Sequence, residues 1–159
     1  MTLLFNLIAD VWNGLGAPLR RRLLWLTHAK FTHGVSGVIV DERGRVLLLK
    51  HRFWKGQRWG LPGGLARHGE TLAATLRREL REETGLEVRP SRLLRVNVSG
   101  GGMSQFVLLA ECSGEARARS AEILEARFWE PGELPGNLLE SHREVIEGSG
   151  GGGLLIDDV

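Results

Sequence analysis

Residues 64–86 read GLARHGETLAATLRRELREETGL, and this stretch decides both the expected fold and the expected chemistry of the chain. Within it, Glu79, Glu82 and Glu83 lie three and four positions apart, so a helix places them on one side. Carboxylate oxygens are the ligands that hard cations such as Mg²⁺ and Mn²⁺ prefer. Because like charges at this spacing destabilise a bare helix, a bound divalent cation is the simplest compensation.

A solvated helix face rich in Glu and Arg is the common alternative for such a run. Here the core-facing stripe is marked by Leu72, Leu76 and Leu80, which recur every four residues. On a helical wheel Glu79 and Glu83 project within about 20° of Leu72. Acids rarely lie along a buried stripe unless they are paired or bind a metal, so the pattern favours a metal site.

Glycines flank this helix at both ends. Gly85 fits the left-handed position just past a helix end. Gly63 and Gly64 would let the backbone turn tightly and approach a ligand. Glu70 is expected near the positive end of the helix, where a carboxylate is stabilised. At average residue usage, all nine constrained positions match by chance less than about once in a million.

The stretch resembles the Nudix box, Gly-x5-Glu-x7-Arg-Glu-U-x-Glu-Glu-x-Gly-U with U aliphatic, the signature of the Nudix hydrolase superfamily. Every constrained position matches: Gly64, Glu70, Arg78, Glu79, Leu80, Glu82, Glu83, Gly85 and Leu86. The lead-in WGLPGG at residues 59–64 is also similar to that family. The resemblance implies an α/β fold, a Nudix-type α/β/α sandwich around a mixed β-sheet, over residues 32–147.

The resemblance also implies a metal-dependent pyrophosphohydrolase that uses Mg²⁺ or Mn²⁺. Its substrate would be a nucleoside diphosphate linked to another moiety: a nucleoside triphosphate, a nucleotide sugar or a dinucleoside polyphosphate. Glu79, Glu82 and Glu83 would bind the metal, and Glu70 would support the metal or its waters. A superfamily member that senses a nucleotide without hydrolysing it is the alternative, but such modules usually lack box glutamates.

Further roles follow from the same resemblance. Arg78 would orient the glutamates through charge-assisted hydrogen bonds. Gly63 would lie beside the metal and Gly64 beside the substrate. The general base could be Glu82 or Glu83, or an acid outside the box. In the segment EILEARFWE at residues 122–130, Glu122 and Glu125 are the outside candidates, with a surface loop acid as the alternative.

The stretch HRFWKGQRW at residues 51–59 precedes the box. Arg52 and Arg58 are candidates for contact with substrate phosphates, and the aromatic rings could stack on a base. The alternative is that Phe53 and Trp59 belong to the core and the cations are solvated. The histidines show no ligand spacing and are expected to be surface or packing residues: His28, His33, His51, His68 and His142.

Composition agrees with one globular enzyme domain. The chain has 159 residues, of which 25% are charged and 42% hydrophobic, which excludes a disordered protein. A net charge of +2 is too small to argue for nucleic-acid binding. The single Cys112 excludes an internal disulfide, so a reducing cytoplasm is the expected location.

Hydrophobic patterning predicts the remaining elements. Strands are expected at 35–40, 45–50, 92–99 and 105–112, with Phe128 and Trp129 closing the sheet and a last helix at 138–146. The turn at 41–44 makes the first two strands a hairpin. Residues 1–31 are expected to form a helical leader that breaks at 14–18, and residues 148–159 a flexible Gly-rich tail.

The leader is not explained by the resemblance. No apolar run approaches the length of about 20 residues that a transmembrane helix needs, and a signal peptide is not indicated. Contact of residues 1–26 with a membrane surface is one interpretation, with Arg20, Arg21 and Arg22 at lipid phosphates. Packing on the protein's own domain or on the partner in a homodimer is the other.

Overall fold

The computed structural model describes residues 2–27, 31–99, 101–149 and 154–155, and it divides the chain into two compact units, residues 1–31 and 32–159. The first unit contains α1 (Thr2–Gly14) and α2 (Ala17–Thr27). The predicted pair of short helices with a break at 14–18 is therefore confirmed. No helix in the described ranges is both long enough and apolar enough to cross a membrane.

The second unit is built on one mixed β-sheet. Its strands are β1 (Thr32–Val40), β2 (Val46–His51), β3 (Trp59–Gly60), β4 (Gly63–Leu65), β5 (Val88–Ser99), β6 (Met103–Cys112), β7 (Ile123–Trp129) and β8 (Leu154–Leu155). The order along the sheet is β3-β2-β1-β6-β5-β8, with β4 on β1 and β7 on β2. Since β1 and β6 run parallel while the other pairs are antiparallel, the predicted mixed sheet is confirmed.

Two helices, α3 (Leu72–Glu83) and α4 (Glu140–Gly148), contribute to separate hydrophobic clusters. Leu76 and Leu80 of α3 are fully buried with Val35, Ile39 and other residues of one cluster. Residues 145 and 146 of α4 are buried in the second cluster with Val38 and Leu48 of the sheet. Because alternate side chains of a strand point to opposite faces, the helices cover the two sides of the sheet, as an α/β/α sandwich requires.

The predicted hairpin is only partly correct. β1 and β2 are antiparallel, but their ladder contains the single pair Val40 and Val46. β1 instead pairs along its whole length with β6, and β2 pairs with β7. The turn residues predicted the reversal of the chain correctly. The main partners of β1 and β2 are strands that lie far away in sequence, and the local chemistry of a turn does not encode such contacts.

Several element boundaries also differ from the prediction. β1 begins at Thr32, β5 at Val88 and β7 at Ile123, each earlier than expected. α4 begins two residues later than expected and ends at Gly148. The added strand residues include exposed positions that pair with a neighbouring strand without contributing to the core, so apolar patterning does not reveal them.

The expected flexible tail begins at Gly148, which is the last residue of α4. Ser149 then caps the helix by donating through its backbone N–H to the Ile146 carbonyl. Leu154 and Leu155 pair with Leu93 and Arg92 of β5. Residues 150–153 and 156–159 lie outside the described residues, as does His28.

Candidate active site

Both ends of α3 are closed by local contacts. The Thr71 hydroxyl accepts a hydrogen bond from the Ala74 N–H at 3.1 Å, which caps the first turn. After the helix, Gly85 has φ +77 and donates to the Leu80 and Arg81 carbonyls at 3.1 Å. These contacts fix where the helix begins and ends. Leu76 and Leu80 are fully buried on the side that faces the sheet, and Glu79 and Glu83 lie beside β4.

Arg78 joins three parts of this site. Its Nε and Nη2 donate to the two carboxylate oxygens of Glu70 at 2.7 and 2.9 Å. Its Nη1 donates to Glu79 at 2.6 Å, and Nη2 also reaches the Leu65 carbonyl at 2.9 Å. Hydrogen bonds from Arg78 and from the Arg67 N–H lower the pKa of Glu70 to about 2. The planar guanidinium therefore links the start of α3, its acidic turn and β4.

Glu83 is the most buried acid of the box, at 9% exposed. One of its oxygens accepts the Gly63 N–H at 3.1 Å, which attaches the end of α3 to the glycine pair. Burial, together with the charges of Glu79, Glu122 and Glu82, raises the pKa of Glu83 to about 8, although the hydrogen bond from Gly63 acts to lower it. With this pKa, Glu83 would be largely protonated at pH 7 without a cation beside it.

Gly63 and Gly64 are required by close packing. Gly63 has φ +145, and a Cβ there would collide with the Val35 carbonyl on β1. Gly64 has an ordinary backbone conformation, but a Cβ there would collide with the carboxylate of Glu79. The two glycines therefore allow β4 to lie directly against the acids, and β4 pairs with residues 34–36 of β1.

The three acids share one side of α3, but they do not converge on one point. Glu82 accepts a hydrogen bond from Arg67 at 3.2 Å and is half exposed, whereas Glu79 faces Arg78. Across the described ranges, no group of three or more His, Cys, Asp or Glu side chains is arranged to hold a metal ion. The expected convergence therefore requires the carboxylates to turn away from their arginines.

The residues present nonetheless provide the type of ligand that a hard divalent cation prefers. The site offers only oxygen donors, from Glu79, Glu82 and Glu83, and no thiol or imidazole lies among them. Glu83 is buried near like charges, and its carboxylate accepts the Gly63 N–H. A cation at this position would offset both the burial of the Glu83 charge and its repulsion by the neighbouring acids.

Of the two acids outside the box, the structure brings Glu122 to the site. Its charge raises the pKa of Glu83, and its backbone carbonyl accepts the Arg52 N–H at 2.8 Å. Glu125 is exposed on β7 opposite Lys50 of β2. Since Ala126 and Phe128 pack in the cluster of α3, alternation places Glu125 on the other face of the sheet.

A cavity of about 150 Å³ opens beside the glycine pair. Its lining residues are Gly34, Val35, Ser36, His51, Trp54, Leu61, Gly63, Gly64, Leu65, Met103, Gln105 and His142. None of these side chains carries a fixed charge, so the cavity suits an uncharged group next to the acidic site.

Two histidines on this cavity were expected to be surface or packing residues. His51 stacks on Trp54 with ring centroids 3.8 Å apart, and its buried Nε2 has no hydrogen-bond partner among the residues that the structure describes. His142 accepts the Leu61 N–H through Nδ1 at 2.9 Å, so its proton resides on Nε2. Burial lowers the pKa of both to about 4, and for His51 the charge of His142 adds to this. Both are therefore neutral at pH 7, and they are cavity residues that spacing along the chain did not reveal.

The arginines that were expected to contact substrate phosphates do not line the cavity. Arg52 donates through Nε to the Ala121 carbonyl at 2.9 Å, and Arg58 is exposed. Of the aromatic residues nearby, Trp59 is buried in the core, as the alternative interpretation expected, while Phe53 is 76% exposed. Trp54 is the aromatic residue of this stretch that reaches the cavity.

The fold and this acidic helix agree with a match to the NUDIX domain over residues 30–148. The chain belongs to the NUDIX family. This Nudix protein is 36% identical over 107 residues to the human 8-oxo-dGDP phosphatase NUDT18, a match that covers 64% of this chain and 33% of the human protein. The chain thus spans about a third of that relative's length.

Other relatives of this Nudix protein cover more of their own length. It is 32% identical over 117 residues to the ADP-ribose pyrophosphatase of Methanocaldococcus jannaschii, covering 69% of this chain and 68% of the relative. Among solved structures, the MutT NUDIX hydrolase from Burkholderia pseudomallei aligns with a TM-score of 0.64 at 29% identity, covering 74% of this chain and 97% of that one.

Proposed function

We propose that this Nudix protein is a metal-dependent pyrophosphohydrolase that cleaves a nucleoside diphosphate linked to another moiety. The observation that carries the proposal is the position of Glu79 and Glu83 against the Gly63–Gly64 pair, which also lines an uncharged cavity, with Glu82 on the same side of α3. The acids suit a cation and the cavity suits the base or the linked group. The names of the relatives, which refer to 8-oxo-dGDP and ADP-ribose, support the same substrate class.

Glu79, Glu82 and Glu83 would hold the cation, and Arg78 would set the orientation of Glu79. When bound, Mg²⁺ or Mn²⁺ supplies neutralisation of the diphosphate charge and Lewis-acid polarisation of its oxygens. Glu82 is half exposed and can meet a water molecule, so we assign it as the base that accepts the proton of the attacking water at a carboxylate oxygen. Glu83 suits this role less well, because it is buried and already accepts the Gly63 N–H.

In the cavity, the neutral His51 and His142 and the Trp54 ring would accommodate an aromatic base through stacking and hydrogen bonding. Gln105 would add an amide that can donate and accept. The single, buried Cys112 supports a reducing cytoplasm as the location.

The test is turnover by the purified full chain with Mg²⁺ or Mn²⁺. The panel contains 8-oxo-dGDP, ADP-ribose, nucleoside triphosphates and dinucleoside polyphosphates, and release of nucleoside monophosphate is followed. Glu82→Gln should reduce kcat by about 100-fold or more with an unchanged unfolding transition. Glu87→Gln, which removes an exposed acid just past the box, is the matched control and should retain activity. Full activity of Glu82→Gln would contradict the assignment.

A further inference from the structure

We propose that residues 2–27 bind the surface of an anionic phospholipid bilayer. The inference concerns α1 and α2 alone and does not depend on the proposed hydrolase activity. It starts from the distribution of apolar and charged side chains on these helices, which the active site does not use.

α1 is amphipathic and exposes its apolar residues. Phe5, Val11 and Trp12 are 63%, 59% and 37% exposed. At 100° per residue, these three fall within an arc of about 120°. Polar residues occupy a separate arc of about 60°, and these are Asn6, Asp10 and Asn13.

α2 adds a second apolar face and a basic one. Leu19 and Leu26, which are 48% and 63% exposed, are seven positions apart and share a face to within about 20°. Arg20 and Arg21 project away from that face, and Arg22 flanks it. Over residues 2–27 the charges are three arginines and one aspartate, 3 − 1 = +2. The helix pair therefore combines exposed apolar side chains with an excess of positive charge.

Helices of 13 and 11 residues are marginal in water unless a surface covers their apolar side. Both are too short to cross a bilayer, so their place on a membrane is at the interface, parallel to its plane. There the apolar residues reach the acyl boundary, Trp12 lies at headgroup level, and the arginines meet lipid phosphates.

Charge favours this surface over a second copy of the chain. Two copies joined through residues 2–27 would bring six arginines together with two Asp10 carboxylates (2 × 3 and 2 × 1). An anionic bilayer instead attracts each arginine, and each one raises the partition coefficient onto the bilayer by about fivefold. The basic triplet is thus complementary to lipid and repulsive towards itself.

The test is co-sedimentation of the full chain with vesicles of phosphatidylcholine alone and of phosphatidylcholine mixed with phosphatidylglycerol. We expect binding to the mixed vesicles that weakens with added salt, and much weaker binding to phosphatidylcholine alone. Replacing Arg20, Arg21 and Arg22 with Gln should reduce partitioning by about 100-fold. Phe5→Ser/Trp12→Ser should also reduce it, because the apolar contact is lost.

The matched control is the triple replacement Arg43→Gln/Arg89→Gln/Arg117→Gln, which removes the same charge from exposed positions of the second unit. It should bind as the unmodified chain does. Equal binding by the Arg20–Arg22 variant, equal loss in the control, or no binding to mixed vesicles would each overturn the proposal. A dimer in light scattering that dissociates in the Phe5→Ser/Trp12→Ser variant, without vesicle binding, would assign the face to a second copy instead.

Discussion

Arg78 and Glu70 form a two-point ion pair, with Nε 2.7 Å from one carboxylate oxygen and Nη2 2.9 Å from the other. The same guanidinium holds Glu79 and the Leu65 carbonyl. Arg78 is only 14% exposed, so these contacts are shielded from water. One planar side chain thereby positions the beginning of α3, one of its acids and the neighbouring strand.

Arg78→Lys should therefore be a severe change, although it keeps the positive charge. An ammonium group cannot make the parallel pair with Glu70 while also reaching Glu79, and we expect a loss of about 1–3 kcal/mol in the free energy of unfolding. Arg81→Lys is the matched control, because Arg81 lies on the same helix as Arg78 and makes a similar two-point pair with the exposed Glu87. That variant should unfold at nearly the same urea concentration as the unmodified chain, because the pair is solvent-exposed. Similar losses in both would contradict the special role of Arg78.

Gly64→Ala should damage the site through a single methyl group. The backbone at Gly64 tolerates alanine, but the added Cβ would displace the carboxylate of Glu79. We expect a fall of at least about 10-fold in kcat/KM for the substrate that the panel identifies. Gly132→Ala is the control, since a Cβ there meets open space, and it should keep full activity. Unchanged kinetics for Gly64→Ala would show that the position of Glu79 does not matter.

Glu83→Gln should stabilise the metal-free protein at high pH. The pKa of Glu83 is raised to about 8 from 4.5, so its favourable contribution is complete below pH 4.5 and is lost as the pH rises through 8. Glutamine can still accept the Gly63 N–H without carrying a charge. We expect the stability difference between variant and unmodified chain to grow by at least about 1 kcal/mol from pH 5 to pH 9 in chelator. A stability difference that stays constant with pH would mean that burial does not raise the pKa of Glu83.

His51 and His142 predict a pH dependence of the opposite sign. Their pKa values are lowered to about 4 from 6.5, so their contribution to stability is complete above pH 6.5 and is lost as the pH falls through 4. His51→Gln/His142→Asn removes the titration, and each replacement offers an acceptor where the histidine has one. Between pH 7 and pH 5, the unmodified chain should lose about 1–2 kcal/mol relative to this variant.

Both the unmodified chain and the double variant contain Glu83, whose contribution to stability increases as the pH falls from 7 to 5. Comparing the two chains cancels that contribution. His68→Gln, at an exposed histidine, serves as the control and should follow the unmodified chain. If the double variant showed the same pH dependence as the unmodified chain, folding would not lower the pKa of the two cavity histidines.

Much of α3 was predictable because its signals are local. Helical periodicity assigned Leu76 and Leu80 to the core, and the structure buries both completely. A glycine just past the helix was expected to be left-handed, and Gly85 has φ +77. Such features depend on residues within a few positions of one another, so they can be read directly from spacing.

The rest of the site required tertiary structure. The charge of Glu122 acts on Glu83, and His142 accepts the Leu61 N–H, only because β7 and α4 return to the sheet beside β2 and β3. No periodicity links residues that are this distant along the chain. The rotation of the Glu82 carboxylate also depends on tertiary structure, since Arg67, from the segment before α3, donates to it.

By itself, then, the sequence determined the helix, its acidic side, the glycines around it and the family. Helical spacing and glycine stereochemistry act over a few residues, so each of these follows from the order of amino acids. The tertiary structure alone decided which strand pairs with β2, which outside acid approaches the box, and which side chains form the cavity. Those outcomes depend on long-range strand pairing and burial, whose free energy belongs to the folded chain as a whole.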